Sequence, residues 1–422
     1  MIDLRRLRDE PAYRVGIERK RCTPDLIDAV LSADDHRRVL LAEVEAARAE
    51  QNAASRGIAQ AAPDQRPARI AAATALKATL ARLQPTLAEA ESHLRELALQ
   101  VPNPAAPTVP DGGEEDAEVL REMGERGPVP LLDHASFGER HGVVEVEKAA
   151  RTSGARFAYL MGQAVLVELA LVRWVTQLLV EEGFCPVVPP VLVREEAMEV
   201  AGFFPTDRNQ VYEVDGSELF LVGTSEIPLA CLHREEILGA DHLPLRYAGL
   251  STCFRREAGT YGRDTRGMFR VHQFDKVEMF SYADPDASLD EHQRLLAIQE
   301  RIVGALGLPY RVVNVAAGDL GPAAASKFDI EVWLPSEGRY RELTSCSNYG
   351  DYSARRLGTR VRADAGAPNR LVHTLNGTAC AVGRTLLFLF ENHQTAEGAL
   401  RVPEPLVPLC GFEELPSGPR PV

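Results

Sequence analysis

Cysteine is used sparingly in this chain: seven in 422 residues, scattered, with no C-x-x-C pair among them. An odd, dispersed set excludes a disulfide framework and a zinc ribbon, so no zinc is expected and the chain reads as cytosolic. The opening MIDLRRLRDE is too charged for a secretory leader. The longest apolar stretch, 164–172, is interrupted by Glu168 and falls short of a bilayer span, so no membrane partner is expected. Also missing are G-x-x-x-x-G-K-[ST] and a G-x-G-x-x-G after a strand. Without either phosphate-binding loop, a nucleotide would have to be held by side chains on a sheet. Cations are short as well: 47 Lys and Arg against 61 Asp and Glu give a formal net charge of -14. That argues against binding along nucleic acid, where many phosphates must be neutralised, but not against a shaped RNA on a local basic surface.

What the chain does have is 45% hydrophobic and 26% charged residues, the make-up of a globular protein with a substantial core. Its length suggests two or three domains. Thr23-Pro24 opens a helical run to about Ala62, a break follows at 63–67, and a second run extends to about Gln100. In the second run Leu76, Leu80, Leu83, Leu87, Ala90, Leu94 and Leu97 repeat at alternating steps of four and three, a coiled-coil seam. Two helices joined by so short a break must fold back as an antiparallel hairpin, roughly 50 Å long at ~1.5 Å per residue. Pro85 is expected to kink the second helix or lift it from its partner. Such a hairpin could dimerise the chain or grip another molecule, and periodicity alone does not choose.

A proline-rich linker, 101–113, follows. Beyond it, helices are predicted at 161–182 and 286–305, and strands at 187–193, 210–214, 218–222, 269–283, 310–315 and 328–334. Helices of crossover length seldom separate these strands, which favours an antiparallel sheet with flanking helices, an α+β fold. The partition is therefore 1–100, 101–113 and 114–422.

Chemistry concentrates in 253–278, CFRREAGTYGRDTRGMFRVHQFDKVE. Arg255 and Glu257 alternate on a predicted strand and so share a face. A loop bearing Arg263, Arg266 and Arg270 leads to a second strand on which Phe274, Lys276 and Glu278 share a face. Arginine suits phosphate because its fork binds two oxygens and stays charged, and an aromatic ring can stack on a purine. Singly, Arg255 or Glu257 would more often be a cross-strand ion pair, and Phe274 core.

FRRE and FRVHQFDKVE resemble motif 2 of the class II aminoacyl-tRNA synthetases, in the form found in seryl-tRNA synthetases. Glu182-Gly183-Phe184 running to Pro189-Pro190 resembles motif 1, the dimer-forming segment. HTLNGTACAVGRTLLFLFENHQ, 373–394, is similar to motif 3. RELTSCSN at 341–348, TSGARF at 152–157 and TSE at 224–226 also resemble family segments. The likeness covers nearly the whole chain, including the helical arm. Thr344 and Thr378-Ala379 replace the family's commoner Ser and Ser-Gly, and Asp116-Ala117 its frequent Asp-Asn.

The resemblance implies a cytoplasmic homodimer that activates L-serine with ATP and Mg²⁺ and charges tRNA(Ser), with tRNA(Sec) a further substrate where present. It implies that Arg255, Arg256, Glu257, Val271, Phe274, Glu342, Leu343, Thr344, Ser345 and Arg384 surround ATP. Within that set Arg255 would meet the α-phosphate, Phe274 stack on adenine, and Arg384 hold the γ-phosphate or cover the ring's other face. Glu342 would bind Mg²⁺, with Ser345 a second ligand. Thr224, Ser225, Glu226, Arg255, Glu278 and Thr378 would surround serine. Arg255, Glu342 and Arg384 form the implied catalytic set. Three rivals are a ligase loading a carrier protein, which would lack the arm, a regulatory paralogue, which would have degenerate motifs, and an inhibitor-resistant duplicate of equal activity.

Overall fold

The computed structural model describes residues 1–259 and 266–415, and the chain divides into two compact units, 1–104 and 105–422. In the first, two short helices, α1 (Leu4–Asp9) and α2 (Pro11–Glu18), precede a long pair, α3 (Pro24–Ala59) and α4 (Arg66–Gln100). Sequence periodicity did not reveal α1 and α2. The long pair forms the expected hairpin, with Thr23 at the N-cap of α3 and Pro67 inside the first turn of α4. Leu80, Leu83, Ala90 and Leu94 of the seam are buried, the first two packed with Val44 and Ala47 of α3. Helix α4 runs without interruption through Pro85.

The second unit is built on an eight-stranded sheet: β1 (Glu118–Met123), β2 (Cys185–Val187), β3 (Leu245–Phe254), β4 (Gln273–Ala283), β5 (Tyr310–Asn314), β6 (Ser326–Leu334), β7 (Arg339–Asn348) and β8 (His373–Ala381). Their order is β1-β5-β6-β7-β8-β4-β3-β2. Every pairing is antiparallel except the edge strand β2, which runs parallel to β3. The expected α+β architecture is present. The expected strand at 187–193 is split, because Pro189 and Pro190 carry no backbone N–H to continue a ladder.

Central strand β4 divides the interior by alternation. Val277, Met279 and Ala283 join the core formed with α5 (Gln163–Glu181), α6 (Ser288–Ala305) and α7 (Val382–Asn392). Phe280 and Tyr282 face the other way, into a second core with Met198, Phe204, Phe220 and Ile227. Phe274, Lys276 and Glu278 continue that second face and line a cavity. Helix α5 corrects the expectation of no span-length apolar run, since by length and composition it could cross a bilayer. Its Val167, Leu171, Val175 and Leu179, spaced by four, are instead buried in the core.

Gly249 of β3 carries the segment Thr224–Glu226 directly above it. A Cβ there would stand 2.7 Å from Ser225 Oγ and 2.8 Å from Leu229 Cδ1. Only glycine permits so close an approach.

Candidate active site

The cavity, about 290 Å³, opens over β4, β6, β7 and β8. It brings together Thr224, Glu226, Arg255, Glu257, Val271, Phe274, Glu278, Glu342, Leu343, Thr344, Ser345, Thr378 and Arg384, segments far apart in sequence. Two residues named beside them do not line it. Ser225 is buried beneath it, its hydroxyl donating to Gly249 O at 3.2 Å. Arg256 points outward, its guanidinium 6.0 Å from the Tyr212 ring centre.

The expectation that Arg255 and Glu257 alternate on a strand is also corrected. Strand β3 ends at Phe254, and Glu257 sits at φ +48. The chain turns back here, and the Glu257 carboxylate meets Arg270 at 3.2 Å. Arg255 Nε donates to Gly223 O at 3.2 Å, and its guanidinium lies 5.4 Å from the Phe274 ring centre. Arg266 reaches Asp133 at 3.2 Å. Arg263 lies outside the described residues.

At one end of the cavity Arg384 spans Phe269 and Glu342. It donates from Nε to Phe269 O at 3.4 Å and from Nη1 to Glu342 O at 3.3 Å. A bulge opposite Ile330 and Glu331 puts Glu342 and Ser345 toward the cavity, although they stand three apart on β7, while Leu343 and Thr344 between them are buried. Desolvation opposes charge on Glu342, but Lys327, Arg384 and Arg255 outweigh it and hold the carboxyl below its ordinary range. Burial drives Asp329, 3.1 Å from Lys327, up to about 7. Among the described residues no three His, Cys, Asp or Glu side chains form a metal cage. One ionised carboxylate beside a hydroxyl fits a cation that completes its shell with substrate phosphates.

The other end is a closed polar network. Lys276 Nζ lies 2.5 Å from Glu278 Oε2 and donates to Thr224 Oγ1 at 2.7 Å. Thr378 Oγ1 donates to Glu278 Oε2 at 3.0 Å. Asn376 Nδ2 bridges the two glutamates, 2.7 Å from Glu226 and 3.4 Å from Glu278. Desolvation first, and neighbouring Glu278 second, push Glu226 up to about 7. Asn376, Tyr349, Phe269, Lys327 and Asp207 were not among the sequence candidates, and Lys276 was placed on the shared strand face without a role, yet all line this cavity. Asn376 stands two residues before Thr378 on β8, a spacing that could have signalled it.

An antiparallel sheet carrying an arginine, an aromatic ring and a motif 3 arginine over one floor defines a class II aminoacyl-tRNA synthetase core. Residues 210–393 match the tRNA synthetase class II core domain (G, H, P, S and T), and residues 1–105 the seryl-tRNA synthetase N-terminal domain. A serine--tRNA ligase of Mycobacterium avium is 47% identical over 427 residues, covering all of both chains. The crystal structure of seryl-tRNA synthetase from Pyrococcus horikoshii complexed with ATP aligns with TM-score 0.91 and 35% identity, over 98% of this chain and 99% of that one. The cytoplasmic enzyme of Naegleria fowleri in complex with AMP aligns with TM-score 0.87 and 30% identity, over 98% of each. The chain belongs to the seryl-tRNA synthetase family.

Proposed function

We propose that this chain activates L-serine with ATP, forming seryl-adenylate and pyrophosphate, and then transfers the seryl group to tRNA(Ser). Transfer to tRNA(Sec) follows in cells that make it. The observation that carries this reading is one cavity joining a cationic, aromatic half (Arg255, Phe274, Arg384) to a half with two carboxylates and two threonines (Glu226, Glu278, Thr224, Thr378). The ATP and AMP bound to the solved relatives support an adenine nucleotide in the first half.

Phe274 stacks on adenine, and the backbone at Val271 meets its edge. Arg255 and Arg384 hold the phosphates. Glu226 takes the serine ammonium, while Glu278 and Thr378 take the hydroxyl. A site committed to hydrogen-bonding that hydroxyl rejects alanine, which would leave buried polar groups unpaired. The serine carboxylate attacks the α-phosphorus in line and pyrophosphate leaves, with Arg255 stabilising the charge that develops. The tRNA terminal hydroxyl then attacks the adenylate carbonyl and AMP departs. Glu342, with Ser345 in the same cavity, would hold Mg²⁺, which would neutralise phosphate charge.

The edge strand β2 and the exposed Val188 (82%) that follows it support a homodimer formed through the motif 1 segment. The arm grips tRNA, and the reaction belongs to the cytoplasm, where ATP and tRNA are supplied. ATP–pyrophosphate exchange with each amino acid in turn, then charging of total tRNA, tests the whole reading. Exchange with serine alone is expected, and exchange with another amino acid or none overturns it.

A further inference from the structure

The pocket assigned above to serine contains a cation of its own. Lys276 is 5% exposed, and its ammonium touches Glu278 at 2.5 Å and Thr224 at 2.7 Å. Both partners are proposed serine contacts, so Lys276 stands among the groups that face the substrate. With both glutamates ionised, Glu226, Glu278 and Lys276 sum to one negative charge. That is enough to neutralise one ammonium and no more. Asn376 bridges the carboxylates without adding charge.

We propose that Lys276 is a specificity-determining residue, a fixed counter-charge that reserves Glu278 for a neutral hydroxyl and leaves Glu226 the only carboxylate free to take an ammonium. This rests on the serine pocket proposed above and says how that pocket counts charge. Burying an unpaired charge is far costlier than burying a paired one. An amino acid with a second ammonium in place of the serine hydroxyl therefore meets a pocket already balanced. Without Lys276 the same pocket carries two uncompensated carboxylates and suits a dication.

The test compares serine with 2,3-diaminopropionate, serine with an amine in place of its hydroxyl, at mildly acidic pH, where both of its amines are protonated. Pyrophosphate exchange is measured with the full-length wild type, Lys276→Gln, Lys276→Met and Lys276→Arg. Gln retains hydrogen-bonding capacity without charge, Met retains length without either, and Arg retains charge. The kcat/KM ratio of serine to 2,3-diaminopropionate should fall at least tenfold in the Gln and Met variants and stay nearer wild type in the Arg variant. A purely structural lysine would depress both substrates together and leave the ratio unmoved, and that result overturns the proposal. Loss of the fold in both neutral variants, read by thermal unfolding, would also overturn it by making Lys276 structural. Absence of serine-dependent exchange in the wild type would instead sink the serine assignment itself, so the two failures are distinguishable.

Discussion

The Glu226 carboxyl is buried with a second glutamate beside it, and both conditions raise its proton affinity, to a pKa of about 7. Lys276, Arg255 and the Tyr349 hydroxyl work in the opposite direction. A serine ammonium needs the carboxylate, which forms as pH rises through that value. The KM for serine should therefore fall as pH increases from 6 to 8, approaching tenfold per unit well below 7. In Glu226→Gln this limb should vanish while the KM for ATP stays put. A serine KM that is flat across the range in wild type would mean the carboxyl does not meet the ammonium. Sequence reasoning reached Glu226, Glu278 and Phe274 because a strand's period of two and three short motifs mark them. It misplaced Glu257 because nothing local announces that β3 ends at Phe254 and that the next residues turn back. The position of Ser225 was hidden for a related reason: its place under the cavity depends on Gly249, 24 residues away.

The arm shows the same division between local and distant information. Its seam and its break are written in the spacing of leucines and prolines. Nothing in that spacing marks Asp34, which is 3% exposed in α3 and bound by Arg8 of α1 at 2.9 Å and by Arg37 at 3.0 Å. Burial works against its charge, but these arginines prevail and hold the carboxyl below its usual range. A depressed folded-state pKa contributes stability that is present above the unfolded value and is lost as pH falls through the folded one. Asp34→Ala should destabilise the helical unit by about 3 kcal/mol at neutral pH, because it removes a buried carboxylate that Arg8 and Arg37 share, leaving Arg8 only Asp35. Thermal unfolding at pH 7 and again near pH 3 checks this. The variant's deficit should shrink at the acid end, and an equal deficit at both would assign the loss to packing.

For the molecule as a whole, charge is unevenly shared. Residues 46–88 hold Arg48, Arg56, Arg66, Arg69, Lys77 and Arg82 against only Glu50 and Asp64, in a chain whose formal net charge is -14. All six cations are exposed. A local basic surface on an acidic protein favours one shaped RNA over nucleic acid in general. Deleting residues 1–104 should leave a dimer that still performs serine-dependent pyrophosphate exchange, while tRNA charging falls more than about 100-fold. Reversing Arg56 and Arg66 to Glu in the full chain should weaken tRNA binding and flatten its salt dependence, since fewer counterions are released. A monomeric deletion product, together with unchanged tRNA affinity in the reversal variant, would make the arm a dimerisation device.

Gly249 carries its consequence out of the test tube. A methyl group at that position would press on Ser225 Oγ and Leu229 Cδ1 from 2.7 and 2.8 Å, lifting Thr224 and Glu226 but leaving the nucleotide half of the cavity alone. A cell whose sole copy carries Gly249→Ala should become a conditional serine auxotroph in behaviour. Growth would slow on poor medium, more severely at high temperature, and recover when serine is fed in excess, because a weakened amino acid site can be filled by mass action. Extra ATP would bring no such relief. A growth defect that serine feeding leaves untouched would place the damage in the fold rather than in the pocket.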